Sequence, residues 1–211
     1  MGMNWQEWKP IYEKILQEFG YDRKRDEEAA RIAVKIAKGN VLPEDLGKIL
    51  NGKVVSICGA GENLEKELNE IEGIIIAADE ATTILLSNNI LPDIITTDLD
   101  GNVNDIIKAN EKGSIVIIHA HGDNINALKK YLSCFKGKIM LTTQAEPFNG
   151  IYNFGGFTDG DRAYCIAKHF NAKKIKLIGF NFDKPKQKER KDLEAKKKKL
   201  EWAKKIIFGN F

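Results

Sequence analysis

Residues 74–124 carry the sequence IIIAADEATTILLSNNILPDIITTDLDGNVNDIIKANEKGSIVIIHAHGDN, in which three apolar runs each end directly in acidic or polar residues. Short apolar runs rich in Ile and Val are typical of buried parallel strands. In an open α/β sheet, ligands bind outside the carboxyl ends of the strands. The stretch therefore predicts an acidic patch along one edge of a parallel sheet.

Two further polar clusters extend this pattern toward the C-terminus. Thr158–Arg162 lies in a loop that follows the run IMLTT, and Asn181–Asp183 follows the run IKLIGF directly. Strand and helix signals alternate throughout this part of the chain, which predicts a doubly wound, mostly parallel, Rossmann-like α/β sheet with right-handed crossovers. The strands are predicted near 53–58, 74–78, 94–97, 114–119, 138–143 and 174–180. The helices of this core are predicted near 62–70, 80–89, 102–112, 124–135 and 159–170.

The segments on either side of this core have helical patterns. Near the N-terminus, aromatic and apolar residues recur at helical spacing: Trp5, Trp8, Tyr12, Ile15 and Phe19. A second helix is expected to begin at Asp26 and to end at Gly39, and Pro43 is expected to open a third. We therefore divide the chain into a helical cap (1–52), a Rossmann-like core (53–183) and a Lys-rich C-terminal helix (184–211).

The composition is that of an ordinary globular protein, with 43% hydrophobic residues in a chain of 211. The three cysteines have no CxxC spacing, and no stretch approaches the roughly 18 apolar residues of a membrane span. The first residues do not form a secretory signal. These features predict a cytoplasmic protein with reduced thiols and no membrane partner. They are compatible with a homo-oligomer.

The net charge of +3 is unevenly distributed along the chain. Residues 184–211 contain 11 Lys and Arg against 4 Asp and Glu, a balance of +7, so residues 1–183 carry −4. Such a run usually forms a solvated helix face, and a second interpretation is a basic tail folded over a polyphosphate. No nucleic-acid partner is expected, because the basic run lacks both interleaved aromatic residues and a known binding motif.

The segment CGAGENL, residues 58–64, joins the first predicted strand to a helix. Gly59 and Gly61 would let the backbone approach a phosphate, and the following helix presents free N–H groups. Asp79 lies twenty positions after Gly59, near the place of the ribose-binding acid in dinucleotide sites. Leu64 stands where that fingerprint has its third glycine, so a plain tight turn is the alternative to phosphate or ribose contact.

Asp98 and Asp100 are two positions apart on an extended segment, so both carboxylates face the same side. Gathered carboxylates repel one another unless a cation joins them, and hard oxygen ligands suit Mg²⁺. We therefore predict a Mg²⁺ site formed by Asp98, Asp100 and Asp123. The alternative is a pair of aspartates that caps the next helix.

Two more clusters offer groups for binding anions. In HAHGDN (119–124), His119 is expected to be a buried supporting group, His121 to contact phosphate, and Asn124 to bind a ligand or cap a helix. Zinc is disfavoured because the neighbouring sites are rich in oxygen and have no positioned cysteine. In the Thr158–Arg162 cluster, Arg162 is expected to hold phosphate oxygens with its planar fork. The alternative is a capped helix start with acids in its first turn.

Five segments together resemble the archaeal-type 6-hydroxymethyl-7,8-dihydropterin pyrophosphokinases and, more distantly, the catalytic domain of thiamin pyrophosphokinases. They are CGAGENL (58–64), AADEA (77–81), LPDIITTDLDG (91–101), HAHGDN (119–124) and GGFTDGDRAYCIA (155–167). The acids of the thiamin series ADGG, GDFDS and TDFxKA are matched by Asp79, Asp98, Asp100 and Asp159, and Arg162 stands where that series has Lys. Glu80-Ala81 replaces its paired glycines, which favours the pterin family.

The resemblance implies Mg²⁺, ATP as co-substrate, and transfer of a diphosphate to the hydroxymethyl group of a reduced pterin, with release of AMP. This reaction belongs to folate or tetrahydromethanopterin synthesis, and the partners would be the pterin alcohol and ATP. The residues expected to be catalytic are Asp98, Asp123, His121 and Arg162, with Asp98, Asp123 or water accepting the proton of the alcohol. Those expected to bind the cofactor are Gly59, Gly61, Asp79, Asn124 and Asp159. Phe154 and Phe157 are candidates to stack on the flat pterin.

Two other functions fit parts of the same pattern. One is a thiamin pyrophosphokinase-like enzyme. The other is a metal-dependent glycosyl-transfer or accessory protein with a related core, in which the acidic pair would hold the metal of a nucleotide sugar. Consumption of ATP only in the presence of a pterin alcohol would separate these functions.

Overall fold

A computed structural model of the chain describes residues 3–182 and 193–209. The strands are β1 (Val54–Cys58), β2 (Ile74–Ala78), β3 (Ile94–Thr97), β4 (Ile115–Ala120), β5 (Ile139–Thr143) and β6 (Lys174–Ile178). They form one parallel sheet in the order β5-β4-β3-β2-β1-β6. This arrangement confirms the predicted Rossmann-like α/β sheet.

Helices precede the sheet, connect its strands and follow it. They are α1 (Trp5–Phe19), α2 (Arg23–Ile36), α3 (Pro43–Leu50), α4 (Leu64–Glu67), α5 (Ala81–Ser87), α6 (Val103–Glu111), α7 (Ile125–Tyr131), α8 (Asp159–His169) and α9 (Leu193–Phe208). Short 3₁₀ turns at Leu68–Glu70 and Leu132–Cys134 follow α4 and α7. The helices predicted near 62–70 and 124–135 are thus each an α-helix completed by a 3₁₀ turn.

Helices cover both faces of the sheet, because side chains of a strand alternate between its two faces. On one face, Cys58, Ala77 and Ile95 pack among residues of α2 and α4–α7. On the other face, Ile57 and Ile76 pack among residues of α3 and α8. Each fully buried isoleucine contributes roughly 1.5–3 kcal/mol relative to an exposed one. The apolar runs seen in the sequence therefore supply two cores, one on each side.

A third apolar cluster lies on the outer side of α8, where α1 and α9 meet it. Trp8 is buried there, and its Nε1 donates a hydrogen bond to the carbonyl oxygen of Gln144 at 2.9 Å. Trp202 of α9 is also buried, and its Nε1 donates to Glu18 at 2.9 Å. The first described helix is therefore tied to the segment after β5, and the last described helix is tied to the first.

The strand order determines where a ligand can bind. The chain steps from β1 to β5 toward one edge and then returns through α8 to place β6 beside β1. The direction reverses between β1 and β6, and crevices form at the carboxyl ends of strands beside such a switch point. Since the strands are all parallel, the polar residues that follow β2, β3 and β4 lie at this same edge.

One helix boundary differs from the prediction. Helix α2 begins at Arg23, since Asp22 is its N-cap and accepts a hydrogen bond from the N–H of Lys24 at 2.9 Å. Asp26 therefore lies at the end of the first turn and does not begin the helix. The helix ends at Ile36, before Gly39, because Ala37 already has an extended backbone.

None of the described helices is both long and apolar enough to cross a membrane. Asp183 and residues 184–192 of the predicted basic segment lie outside the described residues.

Candidate active site

Three carboxylates from separate elements converge at the carboxyl edge of the sheet. Asp79 follows β2, Asp98 follows β3, and Asp159 begins α8. One oxygen of each lies within 4.8 Å of an oxygen of the other two. Asp100 lies beside them and lines the adjoining cleft. The structure therefore brings the strand-end acids together with the start of α8.

Asp79 is held in a left-handed backbone conformation, with a φ angle of 39°. Its N–H donates to the carbonyl oxygen of Thr96 at 2.8 Å, and its Oδ1 accepts a hydrogen bond from the hydroxyl of Thr97. The same Thr97 oxygen accepts a hydrogen bond from the N–H of Leu99 at 2.8 Å. Positive φ is uncommon for a non-glycine residue and persists where the surroundings enforce it. The pairing of β2 with β3 thus fixes where this carboxylate points.

The turn that follows β4 holds Asp98 from the other side. His121 Nε2 lies 3.3 Å from Asp98 Oδ2. Asn124 Nδ2 donates at 2.7 Å to the carbonyl oxygen of Asp98 and at 2.7 Å to that of His119. Asn124 therefore ties the loop after β3 to the end of β4, and its side chain does not cap α7. His121, which the sequence assigned to phosphate, contacts the carboxylate of Asp98.

Asp159 and Arg162 form a buried ion pair in the first turn of α8. Arg162 Nη1 donates to Asp159 Oδ1 at 2.8 Å, and the arginine side chain is only 4% exposed. Its Nη2 donates to the carbonyl oxygen of Phe157 at 3.1 Å. The hydroxyl of Thr96 donates to the carbonyl oxygen of Asp159 at 3.0 Å, which ties α8 to β3. Arg162 therefore orients Asp159 from inside the protein, although the sequence predicted that it faces a phosphate.

Burial and mutual repulsion perturb the acidity of this cluster. Burial, aided by repulsion from Asp100 and Asp98, raises the pKa of Asp79 to about 8. Burial and repulsion from Asp98 raise the pKa of Asp100 to about 6 and hold the pKa of Asp159 well above its usual value. Burial also acts to raise the pKa of Asp98, but the hydrogen bond and charge of His121 outweigh it and the pKa is about 2. The cluster therefore resists carrying its full negative charge without a cation.

Two carboxylate oxygens of the cluster indicate what would complete it. Among the described residues, Asp79 Oδ2 and Asp98 Oδ1 are buried and have no hydrogen-bond partner. Buried polar atoms in proteins nearly always have a partner. Clustered carboxylate oxygens suit a hard divalent cation such as Mg²⁺. Asp79, Asp98 and Asp159 fit such an ion, with Asp100 next to them.

Asp123 lies elsewhere than the sequence predicted. Its side chain is exposed on the turn between β4 and α7, and it is not part of the converging group. The preceding residue, Gly122, is held from both sides: its N–H donates to Asp26 at 2.7 Å and its carbonyl oxygen accepts from Arg25 at 3.0 Å. This clamp fixes the turn with Asp123 on its outer side. Asp79 and Asp159, which the sequence assigned to the cofactor, lie beside Asp98 instead.

The glycine-rich turn after β1 has a structural reason for its glycines. The N–H of Gly59 donates to Ile178 at 2.8 Å, and the N–H of Gly61 donates to Gly179 at 2.9 Å. A Cβ atom on Gly61 would collide with the carbonyl oxygen of Gly179, and one on Gly59 would lie 3.0 Å from the ring of Phe180. Both amides are therefore used within the protein, and both glycines line the cleft.

A cleft of about 350 Å³ opens beside the acidic cluster. Besides the acids and the glycine-rich turn, its walls include Phe180 and Phe182 after β6 and Lys196 and Lys199 of α9. No pattern in the sequence distinguishes these two lysines from the rest of the basic run in which they lie. The two phenylalanines flank Asn181 just after the last strand. This position at a strand end is the sequence feature that could have identified them.

The aromatic residues predicted to stack on a pterin lie in the apolar cores. Phe154 packs against His169 and Phe170, with ring centroids 4.8 Å and 5.3 Å away. Phe157 packs against Phe19, with the centroids 5.2 Å apart. Both rings are buried, and neither lines the cleft.

A buried polar network, which sequence reasoning missed, supports the turn after β4. Asp26 of α2 accepts hydrogen bonds from Tyr12 at 2.6 Å, from Gln144 at 2.8 Å and from the N–H of Gly122 at 2.7 Å. These partners lie 14, 118 and 96 positions away along the chain. The N-terminal helices thus hold the turn that carries His121.

Comparisons with known proteins agree on one family. Residues 31–187 match the family model described as "6-hydroxymethylpterin diphosphokinase MptE-like". The chain is 40% identical to a protein of Pyrococcus furiosus, over 97% of this chain and 93% of that protein. It is 40% identical to a protein of Methanocaldococcus jannaschii, over 97% and 95% of the two chains. Both relatives are named 6-hydroxymethyl-7,8-dihydropterin pyrophosphokinase.

Of two further matches, one supports the same family and the other is a weak structural likeness. A third relative of the same name, from Methanothermobacter thermautotrophicus, is 39% identical over 97% of this chain and 94% of its own. The MAf glycosyltransferase structure from Magnetospirillum magneticum AMB-1 aligns with a TM-score of 0.49 and 14% identity, over 80% of this chain and 29% of that one. That likeness is too weak to bear on function. The family model and the near end-to-end relatives show that the chain belongs to the 6-hydroxymethylpterin diphosphokinase MptE-like family.

Proposed function

We propose that the protein transfers a diphosphate from ATP to the hydroxymethyl group of 6-hydroxymethyl-7,8-dihydropterin and releases AMP, with Mg²⁺ as the metal. The names of the relatives support the pterin and the diphosphate. The observation that carries the proposal is the convergence of Asp79, Asp98 and Asp159 within 4.8 Å beside a cleft. An uncharged pterin does not require three gathered carboxylates, whereas a polyphosphate bound with a divalent cation does.

The carboxylates are oriented in advance by groups behind them. Thr97 holds Asp79, His121 holds Asp98, and Arg162 holds Asp159. Bound Mg²⁺ would neutralise charge on the polyphosphate and withdraw electrons from the phosphorus under attack. In phosphoryl-type transfer, catalysis depends mainly on positioning and on charge stabilisation. We therefore assign His121 and Arg162 as positioning residues, in place of the phosphate contacts expected from the sequence.

The start of α8 offers a further favourable feature for an anion. Thr158, Asp159 and Gly160 line the cleft at the N-terminus of this 11-residue helix. The N-terminus of a helix carries the positive end of its dipole. A polyphosphate in the cleft would lie at this end, next to the acids that bind its metal. The resulting pterin diphosphate would serve folate or tetrahydromethanopterin synthesis.

Product analysis tests the proposal directly. The protein is incubated with ATP, Mg²⁺ and, in separate reactions, 6-hydroxymethyl-7,8-dihydropterin or thiamin, and the products are separated by chromatography. We expect AMP and a pterin diphosphate, formed only when the pterin alcohol is present and abolished by EDTA. ADP as the main nucleotide product would contradict diphosphate transfer. Thiamin diphosphate as the main product would favour the thiamin alternative.

A further inference from the structure

The C-terminal helix α9 is positioned by apolar contacts and not by its lysines. Trp202, Ala203 and Ile206 are buried against the rest of the protein. Trp202 also donates the hydrogen bond to Glu18 that joins α9 to α1. The apolar end of the helix therefore fixes the direction in which its first turns project.

The face of α9 that packs against the protein changes from apolar residues to lysines toward the N-terminus of the helix. Positions three and four apart lie on one face of a helix, so the face that carries Ile206 and Ala203 continues to Lys199 and Lys196. These two lysines are partly buried and line the cleft, whereas Lys197 is exposed. Lys199 Nζ lies 5.9 Å from the ring centroid of Phe157. The basic run seen in the sequence therefore contains lysines in two different environments.

The cleft that these lysines line also has acidic residues in its walls. Asp79, Asp100 and Asp159 line the same cleft. Among the ion pairs of residues 3–182 and 193–209, none involves Lys196 or Lys199. A ligand that carries a cation on one side and anionic oxygens on the other matches such a cleft. A polyphosphate bound to a divalent cation has this distribution of charge.

We propose that Lys196 and Lys199 bind the phosphate oxygens of the nucleotide that face away from the acidic wall. This inference rests on the proposed function, since it assigns the nucleotide polyphosphate to the cleft. Each ammonium group would donate charge-assisted hydrogen bonds, which are stronger than neutral ones. The opposing acids hold the metal, and the lysines hold the oxygens that the metal leaves uncoordinated. Helix α9 is then part of the binding site and not only a solvated basic surface.

The test compares lysines that differ in position but not in charge. Lys196→Gln and Lys199→Gln are made singly and combined in one variant, and Lys197→Gln is the control for the loss of one charge from the exposed side of the same helix. The affinity for Mg²⁺ with a non-hydrolysable ATP analogue is measured by calorimetry without pterin. We expect the double variant to bind at least about tenfold more weakly, a change of about 1.4 kcal/mol, since it would lose charge-assisted hydrogen bonds from two ammonium groups. The control should bind within about twofold of the wild-type protein.

Two further measurements sharpen this result. The decrease of nucleotide affinity with added salt should be less steep in the double variant, because fewer charges attract the ligand. Replacement of both lysines by arginine should restore most of the affinity, and circular dichroism should show that each variant is folded. Unchanged nucleotide affinity in the double variant would overturn the proposal, as would an equal loss in Lys197→Gln.

Failure of this inference and failure of the proposed function give different results. Nucleotide affinity is measured in the absence of the acceptor, whereas the proposed function concerns the products that the wild-type protein forms. A wild-type protein that makes AMP and pterin diphosphate, with a double variant of unchanged affinity, contradicts the lysine assignment alone. Weakened nucleotide binding in the double variant, without diphosphate transfer by the wild type, contradicts the proposed function alone.

Discussion

Two buried aspartates of this protein, Asp26 and Asp79, have similar burial and opposite surroundings. Asp26 is 3% exposed and Asp79 is 5% exposed. Both oxygens of Asp26 accept hydrogen bonds, from Gly122 on one side and from Tyr12 and Gln144 on the other. Asp79 accepts one from Thr97, and its second oxygen has no partner among the described residues. Asp26 faces donors, whereas Asp79 faces other carboxylates.

This difference separates a structural acid from a candidate ligand. A buried charge is tolerated where hydrogen bonds satisfy it, and an unsatisfied one is costly. The hydrogen bonds to Asp26 join α1, α2 and the turn after β4, so the carboxylate serves the fold. Asp79 and Asp98 each keep one buried carboxylate oxygen without a partner among the described residues, as a candidate cation ligand would. Burial of an aspartate therefore does not identify a site unless its neighbours are known.

The largest effect is expected from the acidic cluster itself. Asp98→Asn should lower turnover by at least about 100-fold, because it removes a charge that holds the metal against the polyphosphate. Steady-state kinetics of diphosphate formation measure this loss, and circular dichroism checks that the fold persists. Asp123→Asn should lose far less, since this side chain lies outside the cluster. Equal losses in the two variants would restore the assignment made from the sequence.

Removal of the structural acid should act on stability. Asp26→Asn replaces one carboxylate oxygen by an amide that cannot accept the hydrogen bonds made to that oxygen, so the free energy of unfolding should fall by roughly 3 kcal/mol. Asp79→Asn should change it by less than about 1 kcal/mol, because its amide can keep the Thr97 contact and relieves repulsion. Urea denaturation of both variants in the absence of metal gives the comparison. A greater loss in Asp79→Asn would contradict the contrast between the two acids.

The effect of magnesium on thermal stability should distinguish the acidic cluster from the surroundings of Asp26. Binding to the folded state alone stabilises a protein by about 2.7 kcal/mol at a concentration 100 times the Kd. We expect MgCl₂, compared with NaCl at equal ionic strength, to raise the melting temperature of the wild-type protein and of Asp26→Asn. Asp98→Asn should show little of this shift. The same increase in Asp98→Asn would place the stabilising ion elsewhere.

The smallest effect concerns His119, a buried base at the end of β4. Burial, with the nearby charge of Arg162, holds its pKa well below the usual value. The unfolded chain therefore takes up a proton below about pH 6.5 that the folded protein does not, and stability is lost as the pH falls, by up to about 1.4 kcal/mol per pH unit. Urea denaturation at pH 7.5 and 5.5 should show a smaller decrease in His119→Asn. An identical decrease in both proteins would refute this contribution.

The sequence predicted the sheet better than the roles of the acids around it. The strands β2 and β3 coincide with their predicted ranges because their apolar runs are continuous and end in acids. Which acids converge depends on backbone geometry, such as the left-handed conformation of Asp79 and the clamped turn that places Asp123 outside. No local pattern encodes these features.

Long-range partners explain the remaining differences. Gly59 and Gly61 were assigned to a phosphate because their spacing resembles a known fingerprint. Their amides instead donate to Ile178 and Gly179, more than a hundred positions later in the chain. Two of the three hydrogen-bond partners of Asp26 are also distant along the chain, 96 and 118 positions away. Such contacts follow from the strand order and cannot be inferred from neighbouring residues alone.

The pairing of β6 with β1 also determines which part of the sheet can form last during synthesis of the chain. Strands β2 to β5 each pair with the strand made just before, so most of the sheet can form as the chain leaves the ribosome. The glycine-rich turn after β1 has its acceptors only once Ile178 and Gly179 have been made. The acids that gather at the sheet edge all precede these residues. A nascent chain therefore carries its carboxylates before it has the opposite wall of the cleft.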